Sequence, residues 1–443
     1  MSRPPHVVVV GGGFAGVECL HRLERLLKPS EARLTLVSPE DYQLYLPLLS
    51  HVAAGLLSPQ SVAVSLRRRL RRTHYGPGFA TGVDPREKVL TVRTVEGAEV
   101  RVGYDHLVLA AGSTTRMFDI PGLQEYALGL KTLAQAAYLR DHVIHQLDRA
   151  AIARDEEERA RCLRFVVVGG GYAGVETAAA LHLLTHAAVR RFPRLDPSLL
   201  RWHLIDLAPR LLPELGENLG DKALKTLRDR GIEISLNTTI SSMTAHSAEL
   251  TDGRTLGTHT VIWTAGVAAS PLVDTVGSEL LKGRLRTDAN MSVPGVPGVF
   301  AVGDAAAVPD LAVGGDAITP PTAQHSQRQG KAVAHNVAAA LRGTPMKPYY
   351  HRDLGLVVDL GCGNAVSKPL GIELSGFPAQ LVARGYHALA LPTGTARARV
   401  LANWALNFLT GDDFVSTGFQ KGRPASVPAF ELTGLYRAAE RQG

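Results

Sequence analysis

Cysteine is scarce in this chain. Only Cys19, Cys162 and Cys362 occur among 443 residues, and no two of them form a CxxC or CxxxxC pair. That spacing excludes an adjacent redox dithiol and points away from a disulfide framework or a zinc site, so no metal is expected. A reducing, cytoplasmic setting fits so few thiols. Long apolar runs are absent too. Nothing approaches the roughly 20 consecutive apolar residues that cross a bilayer, which excludes an integral membrane protein and leaves a peripheral one open. The run His6–Val10 meets Gly11 at once; it is too short for a signal-peptide core and reads as a strand. Acid is the minority charge: 41 Asp and Glu against 48 Lys and Arg give a net charge of +7. Part of the excess is one dense run, Arg67, Arg68, Arg69, Leu70, Arg71 and Arg72. Such a run suits a solvated helix face, and equally an anionic membrane or a polyphosphate. No nucleic-acid motif accompanies it, so no nucleic-acid partner is expected.

Glycine is plentiful, with 44 residues in a composition that is 45% hydrophobic, an α/β profile with many tight turns. The length calls for two or three domains rather than one core. An internal repeat says how they are built. Val8–Glu18 reads VVVGGGFAGVE, and 158 residues later Val166–Glu176 reads VVVGGGYAGVE; only Phe14 and Tyr172 differ. A repeat seen once at so long an offset means two related domains rather than a solenoid. Each copy is an apolar strand, a GxGxxG turn and a helix. The glycines are Gly11, Gly13 and Gly16 in the first copy and Gly169, Gly171 and Gly174 in the second. The first glycine makes the tight turn, the second lets backbone approach a pyrophosphate, and the third lets helix lie on strand, with phosphates at the helix N-terminus. One such motif is weak; two in strand–turn–helix context are strong. The expected fold is therefore α/β with two Rossmann-like dinucleotide-binding domains.

An acid closing the second strand of such a domain holds the ribose hydroxyls. After the first motif, Arg33–Val37 ends in Ser38, with Glu40 and Asp41 following, so either Glu40 or Ser38 alone serves the ribose. After the second, Trp202–Ile205 ends in Asp206, which would repel a 2′-phosphate and favours NADH over NADPH, although Arg210 nearby keeps NADPH open.

Three further segments follow in order: Leu107–Ser113 (LVLAAGS), Val261–Val267 (VIWTAGV), and Val299–Ala305 (VFAVGDA), the last a strand ending in Gly-Asp before a helix-like stretch. All five segments together resemble the two-dinucleotide flavoprotein superfamily that includes the pyridine nucleotide-disulfide oxidoreductases. The resemblance implies that the N-terminal motif binds FAD, that Asp304 meets its ribityl or pyrophosphate end, and that the second motif, in a domain inserted within the FAD domain, binds NADH. It implies an FAD domain of residues 1–115 and 289–345, a connecting segment 116–160, an NAD(H) domain 161–288, and a C-terminal region 346–443. On this ground the FAD site takes in Gly11, Gly13, Phe14, Ala15, Gly16, Ser38, Glu40, Ala111, Gly112, Gly303, Asp304 and Ala323. The NADH site takes in Gly169, Gly171, Tyr172, Ala173, Gly174, Asp206 and Gly266. No cysteine pair stands in Asp41–Gly55 (DYQLYLPLLSHVAAG) and no CxxC follows the second motif, so a disulfide relay is excluded.

Within the superfamily the chain resembles the type II NADH:quinone oxidoreductases. Tyr45–Gly55 (YLPLLSHVAAG), Trp263–Val267 (WTAGV), Pro320–Gly330 (PPTAQHSQRQG) and Tyr350–Leu370 carry that likeness. It implies hydride transfer from NADH to FAD, then two electrons to a quinone. It also implies that Gln324 bonds a quinone carbonyl, that Gln327 or Gln329 lines the tunnel, and that Glu176 serves nucleotide binding or proton handling. His325, Ser326 and the Gly361-Cys362-Gly363 turn depart from the pattern on the acceptor side. Those departures keep open a soluble FAD enzyme acting on a quinone-like metabolite, or a flavoprotein that senses NADH. Phe377–Leu389 and Val400–Leu409 read as amphipathic helices, with Leu401, Trp404, Ala405 and Phe408 on one stripe flanked by Arg397 and Arg399. The stripe suits the inner face of the cell membrane, a homodimer partner or the enzyme body. The tail after Gly411, with Gly418, Gly422 and Pro424, is either loosely held or docked as a cap.

Overall fold

The structure, a computed structural model, describes residues 3–411, 413–418 and 426–431. Each copy of the repeat is the centre of a parallel sheet. In the first, His6–Val10 lies between Arg33–Ser38 and His106–Leu109, with Val299–Ala301 beyond the latter and His74–Asp84 beyond the former. All these pairs are parallel, and Val89–Thr94 and Glu99–Gly103 extend the sheet antiparallel to seven strands. Val7, Val8 and Val9 are fully buried because helices or strands cover both sheet faces, which is why the run is continuously apolar rather than alternating. The helices Phe14–Leu26 and Ala323–Arg342 cross in close contact: a Cβ on Gly330 would stand 2.3 Å from the Ala15 carbonyl oxygen, so only glycine permits the approach.

The second sheet holds Ile232–Ser235, Arg201–Ile205, Arg164–Val168 and Thr260–Trp263 in that order, all parallel. It is inserted in sequence between the strands His106–Leu109 and Val299–Ala301 of the first. An antiparallel pair, Ser113–Thr115 with Val267–Ala269, joins the two units. A small antiparallel sheet, Val357–Gly361, Asn364–Ser367 and Leu374–Ser375, leads into the helices Phe377–Ala390 and Gly394–Thr410. These C-terminal elements share one apolar core with the flavin-side helix Leu49–Ala53 and the NAD-side helix Tyr172–Val189, through Leu49, Val52, Val175, Val358, Leu391 and Val400.

The run LVLAAGS is a strand to Leu109 followed by small residues, and Ser113 starts a new strand toward the second unit. VIWTAGV breaks likewise at Gly266, whose φ is +88°. Other elements differ from the sequence expectation. The strand Val299–Ala301 stops short of Asp304 because Gly303 takes φ +69°, and the helix expected there begins only at Ala323, after Pro320 and Pro321 have barred helical geometry. The second C-terminal helix starts ahead of Val400 because the Thr393 hydroxyl caps it, accepting from the Ala396 N–H at 3.2 Å.

That helix is turned inside out. Asn403 accepts from the Ser58 N–H at 3.0 Å and Asn407 donates to the Leu56 carbonyl at 2.8 Å, so its amides face the protein. Leu401, Leu406, Phe408 and Leu409 face outward, Phe408 with 89% of its surface exposed. Of the predicted stripe only Trp404 turns inward, donating to His51 Nδ1 at 3.3 Å. Among the described residues no helix is long and apolar enough to cross a membrane. Part of the tail docks: Thr417 bonds Asp141, and Val427 is fully buried beside Gly129. Gly422 and Pro424 lie outside the described residues. The basic run is dispersed into tethers, with Arg69 on Glu18, Arg72 on the Leu27 carbonyl and Arg67 stacked over Tyr75.

Candidate active site

A cleft of about 390 Å³ opens at the carboxyl ends of the first sheet's strands, where open α/β sheets bind ligands. Gly11, Gly13, Phe14, Ala15, Ser38, Glu40, Ala111, Gly112, Gly303, Asp304 and Ala323 line it. Gly16 lies beneath: a Cβ there would meet the Gly11 carbonyl oxygen at 2.0 Å. No protein atom stands within 4 Å of the position a Gly13 Cβ would take, so that glycine keeps space open rather than avoiding a clash. The helix Phe14–Leu26 has no side-chain cap and no acid in its first turn, whereas Thr132, Thr322 and Thr393 cap the helices they precede. Uncapped N–H groups over an open cradle fit the pyrophosphate of FAD. Asp304 accepts from Ser113 Oγ at 2.7 Å, and the buried Arg284 holds the turn by donating to the carbonyls of Gly303, Asp304 and Thr319.

The second cradle repeats this geometry. Gly169 has φ +119°, a Gly174 Cβ would stand 1.8 Å from the Gly169 carbonyl oxygen, and Gly171 again faces open space. The helix Tyr172–Val189 is also uncapped with no acid in its first turn. Asp206 closes its strand with the carboxylate accepting from the N–H groups of Gly170 and Ala208, beside the glycine turn. Arg210 pairs with Glu217 at 3.7 Å. Gly266 lies at the joint between the units, its carbonyl accepting from the Arg116 N–H at 3.2 Å. Tyr172 and Ala173 face a different space, described next.

A cleft of about 260 Å³ adjoins the first and shares Leu46, Pro321 and Ala323 with it. Glu176, Gln324, Tyr172, Ser50, Tyr386 and His387 are among its walls. Glu176 is held by the Asp359 N–H at 3.1 Å and the Ser50 hydroxyl at 3.5 Å. Burial, reinforced by the Asp359 carboxylate and opposed by these two bonds, raises its pKa to about 8. Burial pushes His387 down to about 4, and its Nδ1 is 3.1 Å from the Tyr45 hydroxyl. At Asp359 burial opposes the charge, yet the bonds from His51, Gly361 and Gln380 outweigh it and hold the carboxyl below the ordinary range.

The structure separates the three glutamines. Gln324 lines the small cleft, its amide donating to Asp353 at 2.9 Å and its carbonyl accepting from the Leu354 N–H at 2.8 Å. Gln329 does not line it, a correction to the expected tunnel role: both amide atoms are spent inside the fold, on the Gly303 N–H at 2.7 Å and Thr319 Oγ1 at 2.9 Å. Gln327, half-buried on the same helix, is not among the cleft walls either.

Residues 5–330 match the pyridine nucleotide-disulphide oxidoreductase family. The chain belongs to that family. A type II NADH:quinone oxidoreductase of Mycobacterium tuberculosis, Ndh, is 30% identical over 432 residues, 92% of this chain and 90% of its own length. The chain is thus also a member of the type II group. The type II enzyme of Staphylococcus aureus is 26% identical over 84% of this chain and 91% of its own. In fold, the chain is similar to NDH2 of Plasmodium falciparum, solved in complex with NADH, with a TM-score of 0.85 at 19% identity over 93% of this chain and 100% of the other.

Sequence reading missed several groups that this family fold brings to the clefts. Lys131 Nζ donates to Ser113 Oγ at 3.0 Å in the flavin cleft; burial lowers its pKa while Asp304 and Glu431 oppose that. Glu431, from the docked tail, accepts from the Thr115 N–H at 3.0 Å at the same cleft. Tyr45, His51, Asp359 and His387 also went unmarked. Their partners are remote in sequence, and no local motif signals them.

Proposed function

We infer that the chain passes a hydride from NADH to FAD and then two electrons to a quinone. The adjoining of the two clefts carries this reading: the wall residues Leu46, Pro321 and Ala323 are common to the FAD cradle and to the pocket holding Glu176 and Gln324. When bound, FAD supplies the two-electron redox chemistry, and the protein supplies orientation and electrostatics. The glycine turn Gly11–Gly16 and the first turn of its helix hold the pyrophosphate; Ser38 and Glu40 stand at the ribose, and Asp304 with Ala111, Gly112, Gly303 and Ala323 border the ribityl and ring end. The Gly169–Gly174 turn holds NADH, with Asp206 on its ribose. Glu176 presents a neutral acid to the small cleft, and the Gln324 amide stands opposite. The two sheets support an FAD domain of residues 1–115 and 289–345 and an NADH domain of 161–288, with 346–443 as the C-terminal region.

The acceptor reaches the site from a membrane surface. The outward apolar residues Phe377, Leu381, Leu389, Leu401, Phe408 and Leu409, with the exposed Arg397 and Arg399 beside them, support a peripheral helix pair on an anionic bilayer at the inner face of the cell membrane. Anaerobic NADH should bleach the flavin absorbance, and a lipid quinone in anionic vesicles should restore it. Restoration only by small water-soluble quinones, with no binding to vesicles, favours a soluble enzyme on a quinone-like metabolite. Absence of bleaching sinks the oxidoreductase reading.

A further inference from the structure

Behind the small cleft, one carboxylate gathers more hydrogen-bond donors than a wall residue needs. Asp359 sits on the strand Val357–Gly361, two positions past Val357, which lines the cleft. Its side chain is buried. It accepts from Gln380 Nε2 at 3.0 Å and from the Gly361 N–H at 2.8 Å; His51 Nε2 stands at 3.5 Å and Arg384 Nε at 3.6 Å. The His51 ring is oriented from its other side. Trp404 Nε1 donates to Nδ1 at 3.3 Å, and an indole N–H can only donate, so Nδ1 accepts and the ring proton of the neutral imidazole lies on Nε2, toward Asp359. Gln380, Gly361, His51 and Arg384, from three elements, thus fix an ionised carboxylate where the fold could have placed an apolar side chain.

Asp359 also touches Glu176. The main-chain N–H of Asp359 itself donates to Glu176 Oε1 at 3.1 Å, so the same residue holds Glu176 and sets a negative charge beside it. The other groups around Glu176 do not offset that charge. The flavin-side helix Leu49–Ala53 offers the Ser50 hydroxyl, and the segment before it Tyr45. The Glu176 helix offers Tyr172 and Thr177 across the cleft, and Phe377–Ala390 offers Tyr386 and His387, the latter kept uncharged by burial. The cation on that helix, Arg384, engages Asp359 rather than Glu176.

We propose that Asp359, locked by His51, Gln380 and Gly361, is a positioning residue that orients Glu176 through its main-chain N–H and, by its charge, reinforces burial in holding Glu176 as a neutral acid able to protonate the bound quinone. This rests on the reading of the small cleft as the acceptor site. The overall balance is NADH, one proton and quinone going to NAD⁺ and quinol. The hydride carries both electrons and one proton; Glu176 gives the second proton to a quinone oxygen, its O–H bond breaking as the new one forms, and regains a proton from solvent. With an ionised Glu176 the quinone oxygen would meet a carboxylate instead of a donor.

The test uses the FAD-loaded protein and two readouts. One is the rate at which a short-chain soluble quinone reoxidises the NADH-reduced protein, across pH. The other is the melting temperature across pH, which needs no turnover. Wild type should lose rate and melting temperature as pH rises through about 8. Asp359→Asn should move both inflections down by about 1 pH unit, because a neighbouring charge is worth that much or more. Asp359→Glu should restore them, and Glu176→Gln should remove them. If Asp359→Asn does not fold, Asp359→Ser, which also removes the charge and leaves the main-chain N–H in place, should move them in the same direction. Unmoved inflections in the folded Asp359→Asn or Asp359→Ser variant, with Glu176→Gln still abolishing them, overturn the role of Asp359 alone. Persistence of both inflections in Glu176→Gln overturns it together with the assignment of Glu176.

Discussion

Glu18 and Glu176 occupy the same position in the two copies of the repeat, and the fold gives them opposite electrostatic surroundings. Glu18 is ion-paired with Arg69 and lies 3.9 Å from Lys331 Nζ. Glu176 meets the Ser50 hydroxyl and the Asp359 N–H. The partners come from outside the repeat, so a near-identical local sequence yields a structural ion pair at one site and a neutral acid at the other.

The two substitutions should therefore part company. Glu18→Gln leaves the nearly buried Arg69 without its counter-charge, and breaking such a pair costs roughly 3 kcal/mol, read as a lower melting temperature at any pH near neutrality. Glu176→Gln should act in a pH-dependent way. A carboxyl whose folded pKa is raised from 4.5 to about 8 contributes stability that is complete below pH 4.5 and is lost as pH rises through 8. Above that pH wild type should have given up about 5 kcal/mol that Glu176→Gln retains. Parallel melting curves for Glu176→Gln and wild type from pH 5 to 9 would contradict this.

The glycines of each turn separate folding from ligand binding. Gly16→Ala and Gly174→Ala drive a Cβ onto a carbonyl oxygen, at 2.0 and 1.8 Å, and should fail to fold or melt far lower. Gly13→Ala and Gly171→Ala place a Cβ in open space. Their melting temperatures without ligand should stay near wild type, while Gly13→Ala loses FAD and Gly171→Ala loses NADH affinity by about tenfold or more, a cost of about 1.4 kcal/mol. Flavin absorbance per protein and NADH titration of the flavin-loaded protein read the two losses.

Asp206 should set the choice of nucleotide. Asp206→Asn keeps the size of the side chain but removes the charge that bonds ribose hydroxyls and repels a 2′-phosphate. The KM for NADH should rise about tenfold, in line with a charged hydrogen bond of about 1.5 kcal/mol, and that for NADPH should fall. Equal changes for both nucleotides would assign Asp206 to bracing the Gly170 and Ala208 N–H groups alone.

What the chain discloses before folding is what is local. The paired glycine turns, the strands they close and the acid at Asp206 are each written within a few residues, and the inserted second sheet follows from the superfamily resemblance that the order of segments carries. The expected tunnel residue Gln329 shows the limit: the family likeness of Pro320–Gly330 marks it, but only the folded chain brings the Gly303 N–H and Thr319 to its amide. Tyr45 with His387, and His51 with Trp404, are contacts between opposite ends of the chain, so no motif announces them. Periodicity likewise found the apolar stripe of the last long helix without revealing which way it faces.

That outward stripe makes the final prediction. Phe408 and Leu409 are 89% and 79% exposed, while Asn403 and Asn407 on the same helix are tied to the protein by Ser58 and Leu56. Burying two such side chains in the interfacial region is worth about 1–2 kcal/mol each. Phe408→Ser with Leu409→Ser should therefore weaken binding to anionic vesicles by about 30- to 1,000-fold in a sedimentation assay. The inward amides hold the helix in place, so the melting temperature and the flavin bleaching by NADH should not change. Reoxidation by a water-soluble quinone should persist, and reoxidation by a lipid quinone in vesicles should fall with the bound fraction. Should the pair instead shift the protein from dimer to monomer in solution with vesicle binding intact, the stripe is a contact between two copies of the chain and the acceptor must approach by another face.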